Sequence, residues 1–203
     1  MVHSDNIDHI LKNGLFCRNS SHAYAGYVNI GSTEIITYRD SVAVKCYPET
    51  KVNEYVPFYF GVRTPMLYKI KTGHGVQQLQ QSDIIYLCCK FNELTEGNLQ
   101  WCYTNGNAAA SITDFYTDSD DYVQLDWKSI HAVDWSDNNE DGDHDRMRKK
   151  HSEFLVKGHV PVNYIRAIMV LTDERKQFVE DKVRYHGLKI DVYIDKEYKF
   201  YFR

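Results

Sequence analysis

Tyr55-Val56-Pro57-Phe58-Tyr59-Phe60-Gly61-Val62-Arg63-Thr64-Pro65-Met66-Leu67-Tyr68 decides how this chain is read. The stretch is apolar and aromatic enough for a core, yet it carries two prolines, a glycine and an arginine. Each proline removes a backbone donor and biases the residue before it away from helix. A plain central strand does not accept this. The pattern predicts a short buried strand over Val56–Phe60, then a tight turn. A helix follows from Thr64-Pro65 to about Thr72, with Thr64 as N-cap and Pro65 at the first helical position. Two readings stay open. The stretch is a rigid core corner, as most aromatic runs are, or a pocket wall whose aromatic faces and single arginine grip a flat, charged ligand.

The chain has 203 residues, enough for one domain with a sizeable core. Its net charge of −4 supplies no global basic field, so any nucleic acid would need a local patch. Sixteen tyrosines offer flat stacking surface with a polar tip. The cysteines are Cys17, Cys46, Cys88, Cys89 and Cys102. Their odd number and the lack of CxxC or metal spacing argue for reduced thiols in a cytoplasmic protein and against a metal site. No signal peptide or membrane-spanning run is visible, so no membrane partner is expected.

Upstream of the aromatic stretch, Asp5–Gly14 reads as a helix with Ile7, Ile10 and Leu11 on its apolar face and Gly14 as its stop. Almost no room precedes it for a strand; His3 sits where the chain would enter from one. Residues 17–31 are small and polar, a loop composition. Ser32–Asp40 reads as a short helix capped by Ser32, with Arg39 near its end. A lone arginine there is usually a surface partner of the helix dipole.

Downstream, Gly73-His74-Gly75 marks a turn. Asp83–Phe91 is a buried strand and Gln100–Tyr103 a second. Asn105-Gly106 is a turn signal, and Gly106-Asn107-Ala108-Ala109-Ala110 a corner whose small residues allow close backbone approach. Asp114–Asp121 is acidic with interleaved tyrosines, and Leu125–Trp135 reads as helical. Ser136–Asp145 is an acidic loop that nearly spells a calcium loop through Asp137, Asn139, Asp141 and Gly142. Position 12 is Arg148 instead of the bidentate glutamate such a loop requires, so the metal reading is rejected. Arg146, Arg148, Lys149, Lys150 and His151 form the one patch suited to phosphates; the alternative is a solvated charge run. Ser152–Val156 reads as a strand beginning near Glu153, Gly158–Pro161 as a turn and Tyr164–Leu171 as a buried strand. Asp173–His186 reads as an amphipathic helix, and Ile190–Ile194 and Tyr198–Phe202 as short closing strands. Strands crowd the second half, which favours an α+β fold with antiparallel sheet. No Gly-rich phosphate loop, GxSxG or HExxH is present.

Tyr55–Tyr68 resembles the YVPFYF-x-x-R-[ST]-P-M-L-Y signature of the DarT family over its whole length. Leu125-Asp126-Trp127 resembles that family's LDW segment. Arg148-Lys149-Lys150-His151-Ser152-Glu153-Phe154-Leu155-Val156 resembles the basic run leading into its EFLV strand, and Gly106-Asn107-Ala108-Ala109 matches a corner of many members. The resemblance runs from about His3 to Arg203. It implies a bacterial toxin that ADP-ribosylates a base of single-stranded DNA. The implied fold is a split, mostly antiparallel sheet with flanking helices that holds NAD between its halves. Glu153 falls on the family's catalytic glutamate and Arg39 on its catalytic arginine. Residues 18–38 become the segment over NAD, and residues 107–153 the loop that approaches the substrate. His3, Asp5, Asn6, Cys17, Arg39, Tyr59 and Met66 are the residues implied on the cofactor side, and residues 146–151 the phosphate-holding ones. A macrodomain-type antitoxin is the implied partner. Members usually open on a strand with Tyr-His-x-x-His before the Asp-Asn helix. Here Met1 falls just after the first histidine, so the N-terminal strand reads as truncated.

The chemistry asks for such groups. Loss of nicotinamide builds positive charge on a ribose carbon, which a carboxylate stabilises. The base nitrogen is a poor nucleophile while protonated. An arginine, whose pKa exceeds roughly 12, acts by electrostatic stabilisation more readily than by taking the proton. Thymine leads guanine as the expected base. The alternatives are a catalytically weakened DNA- or NAD-binding relic, and a transferase acting on RNA or protein.

Overall fold

Two four-stranded sheets carry the fold, and the aromatic stretch joins one to the helix that packs under the other. The computed structural model describes residues 1–136 and 142–203. Asp137, Asn139 and Asp141 of the rejected calcium loop lie outside the described residues. The first half runs β1 (Val2–His3), α1 (Ile7–Asn13), β2 (Leu15–Phe16), α2 (Thr33–Arg39), β3 (Ala43–Val44), β4 (Tyr47–Lys51), β5 (Tyr55–Tyr59), α3 (Pro65–Thr72), β6 (Ile84–Cys88) and α4 (Phe91–Glu96). The second runs β7 (Trp101–Thr104), β8 (Phe115–Tyr116), α5 (Trp127–His131), α6 (Arg146–Lys150), β9 (Glu153–Lys157), β10 (His159–Val160), β11 (Ala167–Val170), α7 (Asp173–Tyr185) and β12 (Asp191–Ile194).

One sheet has the order β1-β6-β11-β12 and the other β5-β9-β7-β8. All their pairings are antiparallel except β11 with β12, which α7 connects as a crossover helix. The expected α+β, split, mostly antiparallel architecture is what forms. Strand β5 lies at a sheet edge, where Pro57 removes no bond that a second neighbour would need. Thr64 Oγ1 accepts from Leu67 N–H at 3.3 Å, Pro65 opens α3, and Gly73 closes it in the left-handed region. Between strand and helix the chain turns sharply. Arg63 holds a positive φ of 47°, and a Cβ at Gly61 would stand 2.5 Å from the carbonyl oxygen of Ile130. The main core joins Ile7, Ile10 and Leu11 of α1 to Val156, Ile168 and Val179.

Several expectations are corrected. Ahead of the first helix, where the sequence leaves almost no room for a strand, a two-residue one forms: Val2 and His3 pair with Ile85 and Ile84. The strand expected over Asp83–Phe91 stops at Cys88, because the Phe91 ring packs on Phe60, Tyr103 and Phe154 as α4 begins. The long helix expected over Leu125–Trp135 shortens to Trp127–His131, because the Ile130 and Ala132 carbonyls turn to the Lys150 ammonium. Tyr198–Phe202 forms no strand. The Asp195 carboxylate accepts from the N–H groups of Lys199, Phe200 and Tyr201 at 2.7–3.1 Å, so no partner strand is needed. Strand β8 arises inside the acidic, tyrosine-bearing segment, and β10 inside the expected turn, where it pairs with β2.

Candidate active site

Glu153 opens β9, a strand flanked by β5 and β7 and therefore rigid. The β5 register sets Tyr59 directly opposite it. On the other side, Glu153 N–H donates to Thr104 Oγ1 at 3.1 Å, and that hydroxyl donates to the Gly106 carbonyl at 2.6 Å. Glu153 is only 2% exposed. A carboxylate so buried requires partners, and three donors supply them. Arg39 gives Nη1 to Oε1 at 3.2 Å and Nη2 to Oε2 at 2.7 Å, and Ala108 N–H gives 3.1 Å to Oε1. The small-residue corner thus makes the close backbone approach its composition suggests.

Helix α2 brings Arg39 in from the opposite direction. Ser32 Oγ caps its start, and Asn53 Nδ2 grips its end through the Ile36 carbonyl at 2.6 Å and Asp40 Oδ1 at 2.7 Å. Arg39 is the last residue of the helix, as the sequence suggests, but its side chain is 12% exposed and turned inward instead of serving as a surface dipole partner. Burial alone would pull its guanidinium down; the charge and hydrogen bonds of Glu153 outweigh that and hold it above its ordinary value. Burial and the nearby Glu153 charge push the Tyr59 phenol up, so it stays protonated. His151 is held down chiefly by burial, and its Nδ1 lies 2.9 Å from the Met147 carbonyl. A carbonyl only accepts, so Nδ1 carries the proton and Nε2 is left as an acceptor.

Beside this pair lies a cavity of about 400 Å³, within the range of small-molecule sites. Arg39, Tyr59, Met66, Cys17 and His151 line it, as do Arg18, Lys69, Asn53 and Asn107. Flat rings are present for a base or a pyridine: His9 stacks on Tyr24 at 4.5 Å and 10°, and Phe16 on His159 at 4.3 Å. Arg18 and Arg39 supply positive charge for a pyrophosphate. Asn13 Nδ2 donates to His9 Nδ1, which leaves the ring's Nε2–H buried without a partner among the described residues. Such a donor at a cavity wall calls for an acceptor from a ligand. The residues present therefore fit NAD.

The remaining sequence candidates divide. His3, Asp5 and Asn6 are not among the lining residues. His3 Nδ1 accepts from Asp5 N–H at 3.2 Å and caps the first turn, while Asn6 grips the Val28 backbone at 2.8 and 2.9 Å and so fixes the loop over the cavity. The basic run turns inward in place of forming a solvent-facing phosphate patch. Arg146 donates to the Asp134 carbonyl at 3.2 Å, and Lys150 to those of Ile130 and Ala132 at 2.8 Å. Arg148 is taken by Asp145, Asn105 and Thr113, and Lys149 by Asp126 and Asp143. Their cause is shared: backbone carbonyls and side-chain oxygens of residues 105–134 and 143–145 come to meet the cations. His9, Tyr24, Asn53 and Asn107 were not legible as site residues, because a helix-surface histidine or loop asparagine carries no local signal of a cavity. Among the described residues no cluster of His, Cys, Asp and Glu could hold a metal ion, and no helix is long and apolar enough to cross a membrane.

A family model described as ssDNA thymidine ADP-ribosyltransferase, DarT, matches residues 1–202. A DNA ADP-ribosyl transferase of Escherichia coli O127:H6 is 28% identical over 194 residues, 95% of this chain and 88% of that protein. The solved structure of Thermus sp. 2.9 DarT in complex with ADP-ribosylated ssDNA is similar with a TM-score of 0.88 at 28% identity, covering 99% of this chain and 93% of that one. The structure of that DarT in complex with NAD+ gives 0.84 at 27% identity, covering 99% and 94%.

Proposed function

The chain belongs to the DarT family of NAD-dependent DNA ADP-ribosyltransferases, and we propose that it modifies thymine, ahead of guanine, in single-stranded DNA. On this reading it acts in the cytoplasm as the toxin of a toxin–antitoxin pair, countered by a macrodomain-type antitoxin. The observation that carries the reading is the buried Arg39–Glu153 pair, whose arginine lines a cavity that also offers stacking rings and further positive charge.

Bound NAD supplies an ADP-ribose whose bond to nicotinamide can be cleaved. Glu153 holds negative charge beside the ribose, where positive charge develops as that bond breaks. Its burial makes the interaction stronger than it would be in water. Arg39 is charged throughout and acts as a fixed cation, holding the pyrophosphate and offsetting the charge of a deprotonating base. Tyr59 and Met66 wall the cofactor side, and buried Cys17 lines the same cavity. His151, neutral with a bare Nε2, is the lining group best suited to accept the proton of the base nitrogen. A base must leave its stack to reach such a cavity, which favours single-stranded substrate.

The test is mass spectrometry of thymine- and guanine-containing oligonucleotides incubated with NAD. The wild type should add one ADP-ribose to the thymine-containing strand and Glu153→Ala none. Equal modification by the variant, or modification of RNA or protein alone, would remove the assignment. Reversal of the added mass by a macrodomain hydrolase tests the antitoxin partner.

A further inference from the structure

Tyr68 is a large aromatic residue left 45% exposed beside the site. It belongs to α3, the helix that presents Met66 and Lys69 to the cavity. The Trp135 ring meets it at 5.7 Å and 75°, and the Phe202 ring at 5.6 Å and 74°. These are edge-to-face contacts, so the three rings form a continuous apolar surface and do not close on one another. The same geometry explains the inward-facing basic run. Lys150 and Arg146 hold the carbonyls of Ile130, Ala132 and Asp134, a row of backbone that ends on Trp135. The segment that builds one side of the surface is therefore anchored three residues ahead of Glu153. Two half-buried cations lie close by: Lys69 follows Tyr68 in α3, and Arg63 N–H donates to the Phe200 carbonyl at 3.3 Å. Neither Arg63 nor Lys69 has an acidic partner or side-chain hydrogen bond among the described residues, unlike Arg148 and Lys149.

We infer that Tyr68, Trp135 and Phe202, with Arg63 and Lys69 close by, form a stacking platform for the nucleotides next to the target base in single-stranded DNA. The inference rests on the DNA-base reading above. Rings with exposed faces bind bases without regard to sequence, and neighbouring unpaired cations meet the phosphates between them. The charge complementarity is what commits the surface to a nucleic-acid strand. In a chain of net charge −4 with its basic run consumed internally, these cations remain available to a polyanion.

The test pairs two binding measurements on the full chain. Anisotropy with a short fluorescein-labelled oligothymidylate should show a Kd raised about tenfold or more by Tyr68→Ala with Trp135→Ala. Tyr68→Phe should retain near wild-type affinity, and Arg63→Glu should weaken binding and flatten its salt dependence. NAD affinity by calorimetry should stay unchanged in the Tyr68 and Trp135 variants, which also reports that they are folded. Unchanged oligothymidylate affinity in the double variant overturns the platform, as does a parallel loss of NAD affinity. A variant that alters only the oligomeric state would show a contact between copies and overturn it too. Loss of the DNA-base assignment reads out separately, as oligonucleotide binding without any added mass in the wild type.

Discussion

Arg39 closes on Glu153 as a fork, with Nη2 to Oε2 at 2.7 Å and Nη1 to Oε1 at 3.2 Å across 114 positions of sequence. The pair joins the end of α2 to the start of β9, so each group orders the other's element. With Ala108 N–H also on Oε1, every hydrogen bond to the carboxylate comes from a group aimed at fixed charge. On the proposed reading, a ribose hydroxyl approaching Glu153 would share these partners, which would couple binding to alignment.

Glu153→Gln keeps the shape and removes the charge. Transfer to an oligonucleotide should fall by about 100-fold or more, the usual cost of losing a preorganised electrostatic group. Arg39→Lys replaces the fork with a point charge and should lose roughly tenfold or more, with the fold retained. Single-turnover mass spectrometry checks both; a Glu153→Gln enzyme within a few-fold of wild type would contradict the role given to that carboxylate.

The parts legible in the sequence are those set by local chemistry. Thr64 and Pro65 write the start of α3 in a cap and a ring, and Ser32 writes the start of α2. The aromatic stretch proves to be both corner and wall: Gly61 and Arg63 make the turn, while Tyr59 and Met66 face the cavity. The destination of the basic run was not legible, because a row of cations does not reveal which carbonyls fold back onto it. Nor was the role of Asn6. Its partner Val28 is distant in sequence and offers only backbone atoms, which leave no mark in residue identity.

Asn6 leads to a further prediction. Its amide makes both backbone bonds of Val28, and each such bond contributes about 0.5–1.5 kcal/mol net. Asn6→Ala should loosen the segment over the cavity and raise KM for NAD severalfold or more, with little change in kcat. A kcat loss without a KM change would place Asn6 in the chemistry instead.

Gly61→Ala should destabilise the protein without touching the cavity. The added methyl would stand 2.5 Å from the Ile130 carbonyl oxygen, and backbone cannot yield as a side-chain tip can. Overpacking of this kind costs about 1–3 kcal/mol. Thermal unfolding should show a Tm lowered by several degrees, and α5 should be the first element to lose protection in hydrogen exchange.

Lys150 makes stability depend on pH in a direction the structure fixes. It is 1% exposed, and burial first, then the nearby Arg63 charge, pulls its ammonium down to about 8. An unfolded lysine titrates at about 10.4. Between these values the unfolded chain holds a proton that the folded chain has released, so stability rises with pH across that window. Below about pH 8 both states are protonated and the slope vanishes. The neutral amine still has two N–H donors for the Ile130 and Ala132 carbonyls, so deprotonation leaves the anchor intact. Lys150→Met removes the titration and strands both carbonyls. The tyrosines whose phenols are pushed up, Tyr59 among them, oppose the trend above about pH 10, but they are common to both proteins and cancel in the difference. The wild-type Tm minus the Lys150→Met Tm should therefore grow steadily as pH rises past about 8; a flat difference would show that Lys150 titrates like a surface lysine and that the anchor beneath Trp135 is open to water.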